Sequence, residues 1–302
     1  MIYILYYFGK IPSHVTYCIN SILTVDQDAV IYFCTSEAYD NQNVINVNFN
    51  DYPALVDKKV QIKSYLKDSP LEENPLWFTS LIRTYAVKTI VEEFNIEEFV
   101  HFDTDVLLFK SFSDIENNYE FDKGKINITF LDKDHLVFGY SYFPKKDLII
   151  KLCNLFDQVF KNYEFYKNNY SNGGVFNEMR MMKIASEIDP NLVSELECLP
   201  YNNKNLLFDP AGYGQYLDGS HNKNGNYFFK RRWVSVESYV GREIKSKRIK
   251  FKFDNRTPRV LFDQKSIELC NLHIHSKRLS KFLPKNYSCL LYTSPSPRDS
   301  CA

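Results

Sequence analysis

The apolar positions of this chain fall into short blocks that switch between a period of two and a period near 3.6. Ile2–Tyr7 is an apolar run of strand length, closed by the turn Gly9-Lys10-Ile11-Pro12. Beyond it Val15, Cys18, Ile19 and Ile22 recur at helical spacing, with Ser13 placed to cap them, and residues 29–34 predict a second strand. Strand, helix and strand at this spacing make a βαβ unit, hence parallel sheet covered by helices. Residues 44–47 offer a third strand. Phe78, Leu81, Ile82, Tyr85 and Ile90 stripe a helix over about 76–94, which feeds a strand at 98–102. Strands follow at 126–131 and 136–143, joined by a hairpin turn at Asp132-Lys133-Asp134. Pro144 opens a helix carrying Leu148, Ile149, Leu152, Leu155, Phe156 and Val159. The loop Asn172-Gly173-Gly174 leads into a helix over 175–188. After Leu199 the pattern weakens to short strands at 248–253 and 266–274. The expectation is one α/β domain over residues 1–288 with a mainly parallel central sheet.

The strand at 98–102 runs straight into Asp103-Thr104-Asp105, with apolar residues again from Val106 to Phe109. Carboxylates two residues apart on an extended chain leave the same side, and unpartnered ones are costly to bury. Chance alone gives about one Asp-x-Asp in a chain of this kind. Two others occur, Asp26-Gln27-Asp28 and Asp132-Lys133-Asp134, and both read as solvated turns. Asp103 and Asp105 are therefore the candidate site for a hard divalent cation. In an open α/β sheet, ligands bind beyond the carboxyl ends of strands, where the Phe8–Pro12 turn also falls.

Composition narrows the classes. Of 302 residues 37 are basic and 37 acidic, so no basic excess favours nucleic acid as the main partner, and the short run Lys230-Arg231-Arg232 does not change this. No apolar stretch is long enough to span a bilayer, and the chain opens on a strand without a basic leader. Seven scattered cysteines without a C-x-x-C pair predict neither a zinc ribbon nor a disulfide framework, which suits a reducing cytoplasm. Residues 289–302 shift to Ser and Pro and read like translated sequencing adapter, so they are expected to be a non-native tail.

Three further segments carry polar groups that could bind or catalyse. In Leu272-His273-Ile274-His275 the two imidazoles leave one face of a strand, with Lys277 and Lys281 close behind. A pair of same-face histidines is less readily structural than one, although an exposed polar strand would look alike. Asn177 and Glu178 open a helix beside the glycine loop, where a helix-start carboxylate is favoured by the dipole anyway. The run Phe208 to Gly219 packs Asp209, Tyr213, Gln215 and Tyr216 into a glycine-rich stretch suited to stacking and hydrogen bonding with sugars.

Taken in order, Tyr7-Phe8-Gly9-Lys10-Ile11-Pro12, Phe78-Thr79-Ser80-Leu81-Ile82-Arg83-Thr84-Tyr85 and Phe102-Asp103-Thr104-Asp105 resemble the GT-A, DXD-containing nucleotide-sugar glycosyltransferases, in particular the mannosyltransferase and toxin glucosyltransferase group. The resemblance covers roughly residues 1–110, with looser echoes to 281; Asn95-Ile96-Glu97-Glu98 stands where the family usually has Gly-Gly. It implies a Rossmann-like three-layer sandwich, with residues 1–110 binding a UDP- or GDP-linked sugar. Residues 111–288 would bind a carbohydrate or glycoconjugate acceptor and return a C-terminal metal and diphosphate segment. It also implies Mn2+ or Mg2+ held by Asp103, Asp105 and His273 or His275. Tyr7, Phe8, Arg83, Lys277 and Lys281 would lie on the donor, and Asn172, Gly173, Gly174, Asn177, Glu178, Gln215 and Tyr216 on the substrates. Glu178 and Asp209 are candidate bases should the transfer invert configuration. A haloacid-dehalogenase-like phosphatase also ends a strand in Asp-x-Asp, but normally near its N-terminus. A catalytically inactive carbohydrate- or nucleotide-binding protein on the same fold is the third reading.

Overall fold

The computed structural model describes residues 1–66, 75–170, 177–202, 204–221, 227–228, 234–285 and 287, without the side chains of 75, 76, 221, 227 and 228. Asn172, Gly173, Gly174, the run 230–232 and the tail 289–302 lie outside the described residues.

The βαβ start forms as the periodicity predicts: β1 (Ile2–Tyr7), α1 (Ser13–Val25) and β2 (Val30–Thr35), then β3 (Ile45–Asn48). Pro12, not Ser13, occupies the N-cap of α1, and its carbonyl accepts from Val15 N–H at 3.1 Å. Helix α2 (Pro53–Tyr65) has no counterpart in the predicted elements, because Leu55 and Ile62 alone of its residues are buried. Helix α3 (Pro75–Glu93) leads to β4 (Phe99–His101) and, past the two aspartates, to β5 (Val106–Leu108). The chain continues through α4 (Phe112–Asn118), the hairpin β6 (Ile126–Asp132) and β7 (His135–Phe143), and α5 (Lys146–Lys161). Helix α5 starts two residues after Pro144. Next come α6 (Tyr163–Tyr170), α7 (Glu178–Ile188), β8 (Val193–Leu196) and β9 (Leu206–Leu207). After these stand α8 (Gly212–Asp218), the short pair β10 (Ser220–His221) and β11 (Tyr227–Phe228), and α9 (Tyr239–Lys245). The last strands are β12 (Lys250–Asp254), β13 (Thr257–Phe262), β14 (Lys265–Leu269) and β15 (Asn271–His273).

The central sheet has the order β3-β2-β1-β4-β7-β6-β8. Only β7 runs against its neighbours, so the sheet is mostly parallel. Alternation along β1 builds a layer on each face: Ile4 and Tyr6 join one core with α3, α5 and α7, whereas Tyr3 and Leu5 join another with α1 and the C-terminal strands. The predicted strand at 266–274 is broken at Cys270. Strand β14 stays in a small sheet of order β12-β13-β14-β9, while β15 pairs antiparallel with β5. That last pairing matters most for the site, because β5 begins immediately after Asp105.

Candidate functional site

Strand β4 ends at His101, and the two aspartates sit on a turn, not on extended chain. Asp103 N–H donates to the Phe138 carbonyl at 2.8 Å, and Val106 N–H donates to the Asp103 carbonyl at 3.1 Å. The carboxylates still converge, through the turn and not through strand alternation. Opposite them, β15 is registered so that His273 faces Val106, and Ile274 N–H donates to the Asp105 carbonyl at 2.8 Å. This delivers the histidine to the aspartates: His273 Nε2 lies 3.1 Å from Asp105 Oδ1 and 3.5 Å from Asp103 Oδ2. Lys277, in a left-handed conformation at φ 61°, turns the chain back so that its ammonium pairs with Asp105. Its N–H closes that turn on the Ile274 carbonyl at 2.9 Å.

The His-bearing segment is held from behind by α8 and the loop before it. Asp209, fully buried, accepts N–H bonds from Ala211, Tyr213, Gly214 and His273 at 2.8–3.0 Å. Burial pushes its carboxyl up and those donors oppose it. Asp218 grips Arg278 through two nitrogens and accepts from Ser276 Oγ at 2.6 Å. Gln215 Nε2 lies 3.0 Å from His275 Nδ1, and the His273 and His275 rings meet edge to face at 4.5 Å.

On the other side, α3 projects Arg83 into the site. Phe78, Leu81, Ile82, Tyr85 and Ile90 are buried as predicted, but Arg83 is buried too, at 8% exposure, and is no surface group. Its guanidinium lies over the Phe138 ring at 4.9 Å, pairs with Asp103, and clamps both oxygens of Glu178, with Nε–Oε1 at 3.1 Å. Glu178 is held above its ordinary value by burial, with Arg83 opposing. Burial also raises Asp105, but the Lys277 ammonium and then His273 outweigh it and hold this carboxyl well below the usual range. Three carboxylates against two permanent cations leave one net negative charge for a cation to offset.

Tyr7, Phe8, Arg83, Asp103, Asp105 and Lys277 line one cavity of about 290 Å³. Six sequence-predicted residues from four separate segments thus share a wall. Asp105, His273 and His275 place ligand atoms within 4.8 Å of one another, a candidate metal cluster. The donor chemistry fits a cation. His273 Nδ1 lies 3.3 Å from the Pro210 carbonyl and donates to it, which turns the Nε2 lone pair toward the two carboxylates. A lone pair facing carboxylate oxygens at 3.1 Å is repulsive unless a proton or a metal ion lies between.

Other expected residues take different places. Asn177 caps α7, accepting Arg180 N–H at 2.9 Å. Glu178 is paired with Arg83, and Asp209 accepts backbone N–H donors, so both carboxylates are engaged within the protein. Tyr216 packs edge-on against Phe251 at 6.3 Å, and Lys281 is exposed on a short 3-10 turn. Sequence reasoning missed His14, on the first turn of α1. It is buried against Tyr7 at 6.1 Å, and its Nε2 has no hydrogen-bond partner among the described residues. Burial, then Lys277, lower it to about 4, and Asp105 opposes. Its position two residues after the Ile11-Pro12 turn that borders the cleft was the available signal.

No protein-family model matches the chain, and no curated protein matches it. Among solved structures, the apo form of mouse xyloside xylosyltransferase 1 overlaps with a TM-score of 0.46 at 13% identity, over 66% of this chain and 86% of that one. The galactosyltransferase LgtC, solved with donor and acceptor sugar analogs, gives 0.43 at 12%, over 65% and 73%. The PaToxG glycosyltransferase gives 0.41 at 13%, over 63% and 69%. With TM-scores below 0.5, the ground for a function is the site's own geometry.

Proposed function

We infer that the protein is a GT-A type, metal-dependent glycosyltransferase that moves a sugar from a nucleoside-diphosphate sugar to an acceptor hydroxyl. The observation that carries this reading is the meeting of Asp103, Asp105, His273, His275 and Lys277 at one cleft beside Arg83. Asp105 and the two imidazoles are the residues that would hold a divalent cation, with Asp103 beside them. Mixed carboxylate and imidazole donors suit Mn2+ better than Mg2+, which prefers oxygen. When bound, such a cation supplies charge neutralisation for a diphosphate leaving group. Lys277 adds an ammonium on the same side, and Arg83 presents a preorganised guanidinium whose pose Glu178 fixes. UDP and GDP are both compatible donors, and the acceptor is a carbohydrate or glycoconjugate.

The test is release of nucleoside diphosphate from UDP- and GDP-sugars in Mn2+, compared with EDTA. Asp105→Asn is expected to lower turnover at least a hundredfold and to remove Mn2+-dependent donor binding while the protein stays folded. Inorganic phosphate release without nucleoside diphosphate would instead identify a phosphatase, and nucleotide-sugar binding without turnover would identify a binding protein.

A further inference from the structure

A second cavity, of about 310 Å³, opens beside the catalytic cleft and shares Tyr6, Phe8 and Thr79 with it. Its far wall is α2, the helix invisible to periodicity, which contributes Lys59 and Lys63. These two lie one helical turn apart and face the same way. Lys59 Nζ sits 4.1 Å from the centre of the Phe8 ring and 5.8 Å from that of Phe49, while Lys63 Nζ sits 5.6 Å from Phe78. Their neighbour Lys58 is paired with Asp157 at 3.1 Å, but Lys59 and Lys63 have no carboxylate partner among the described residues. Burial, and then the Lys63 charge, lower Lys59 from the ordinary lysine value. Between the cavities stands Tyr6, only 7% exposed, whose hydroxyl has no hydrogen-bond partner among the described residues.

Two ammoniums over aromatic rings, without a carboxylate partner among the described residues, and a buried hydroxyl without a partner among them form a positive pocket with apolar walls. We propose that this cavity is a subsite for an acidic group, phosphate or carboxylate, carried on an apolar or aromatic body, and that it makes the enzyme selective for an acidic acceptor. The ligand class follows from the wall: Lys59 and Lys63 supply charge, Phe8 and Phe78 supply stacking surface, and Tyr6 supplies a donor. A neutral nucleobase would leave both ammoniums without a counter-charge. The assignment to the acceptor rests on the glycosyltransferase reading; the existence of an anion subsite does not.

Binding of three fluorescent probes to the full chain tests this, with EDTA present so that no metal can recruit an anion to Asp105. The probes are 4-methylumbelliferyl phosphate, 4-methylumbelliferyl β-glucuronide and the neutral 4-methylumbelliferyl β-glucoside. At least one charged probe is expected to bind about tenfold tighter than the glucoside, and the Lys59→Ala/Lys63→Ala double variant to lose about tenfold for it alone. Lys59→Arg/Lys63→Arg is expected to retain binding. Preference for phosphate or for glucuronide identifies the acidic group, and either outcome supports the subsite. Equal affinity for charged and neutral probes, or charged-probe binding unmoved in the double alanine variant, overturns it. Nucleoside-diphosphate release by the same variants, with water as acceptor, reports on the glycosyltransferase reading separately.

Discussion

At the scale of single residues, Arg83 is the hinge between structure and chemistry. It compensates a carboxylate buried to 3% exposure, Glu178, and at the same time turns a guanidinium edge toward Asp103 in the cleft. Removing one member of a buried pair strands the other, at about 3–5 kcal/mol, whereas replacing both by apolar groups of similar volume is often near neutral. Arg83→Met is therefore expected to lower unfolding free energy by about that amount, and Arg83→Met/Glu178→Leu to recover most of it. If Arg83 also binds donor, both variants lose donor affinity in calorimetry. Full donor binding by the stable double variant would leave Arg83 a purely structural residue.

At the scale of elements, the legible parts were those with local causes. The alternation of β1 and the stripes on α1 and α3 are short-range patterns that sequence displays directly. The Asp103–Asp105 turn was visible as polar groups breaking an apolar run, and the His273–His275 pair as alternation in a strand. What sequence could not display was pairing across the chain. Nothing local tells that β15 leaves the small sheet to join β5, or that Glu178 will meet Arg83 at a separation of 95 residues. Helix α2 was missed because two buried residues seven apart make no stripe. The docking of α8 on β15 gives a direct test of that long-range assembly. A Cβ added at Gly214 would lie 2.0 Å from the His273 carbonyl oxygen, a backbone atom that cannot swing away. Helix propensity favours Gly→Ala by about 1 kcal/mol, but overpacking of this kind costs about 1–3 kcal/mol or more, so the clash wins. Gly214→Ala should lower the melting temperature and weaken Mn2+-dependent stabilisation, because His273 moves with its carbonyl. A melting temperature at or above wild type would show that α8 does not press on the strand.

At the scale of the whole molecule, the net charge of zero hides an uneven distribution of costs with pH. His14 is lowered to about 4 and His101 to about 3, in both cases first by burial; His101 Nδ1 donates to the Ile4 carbonyl at 2.7 Å inside the sheet. A histidine depressed in the folded state binds its proton in the unfolded chain first, so the unfolded state gains protons as pH falls below about 6.5. Stability then declines through the window from about 6.5 down to about 4 for His14 and about 3 for His101. Glu178 acts with the opposite sign: its folded value is raised, so its contribution grows as pH falls toward the ordinary glutamate range. Asp105, depressed in the fold, contributes stability above the ordinary aspartate value and loses it only at still lower pH. The two histidines together are worth at most about 2.7 kcal/mol per pH unit, and the raised carboxyls of Glu178, Asp209 and Glu195 oppose them as pH falls toward the ordinary carboxylate range. Urea unfolding in EDTA between about pH 7 and pH 5.5, where the histidines dominate, is expected to show stability falling with acid at no more than that slope. His101→Gln, which keeps a polar group at Ile4 without a titrating ring, should be less stable at pH 7 yet show a shallower slope. An unchanged slope in that variant would place the acid sensitivity outside the sheet.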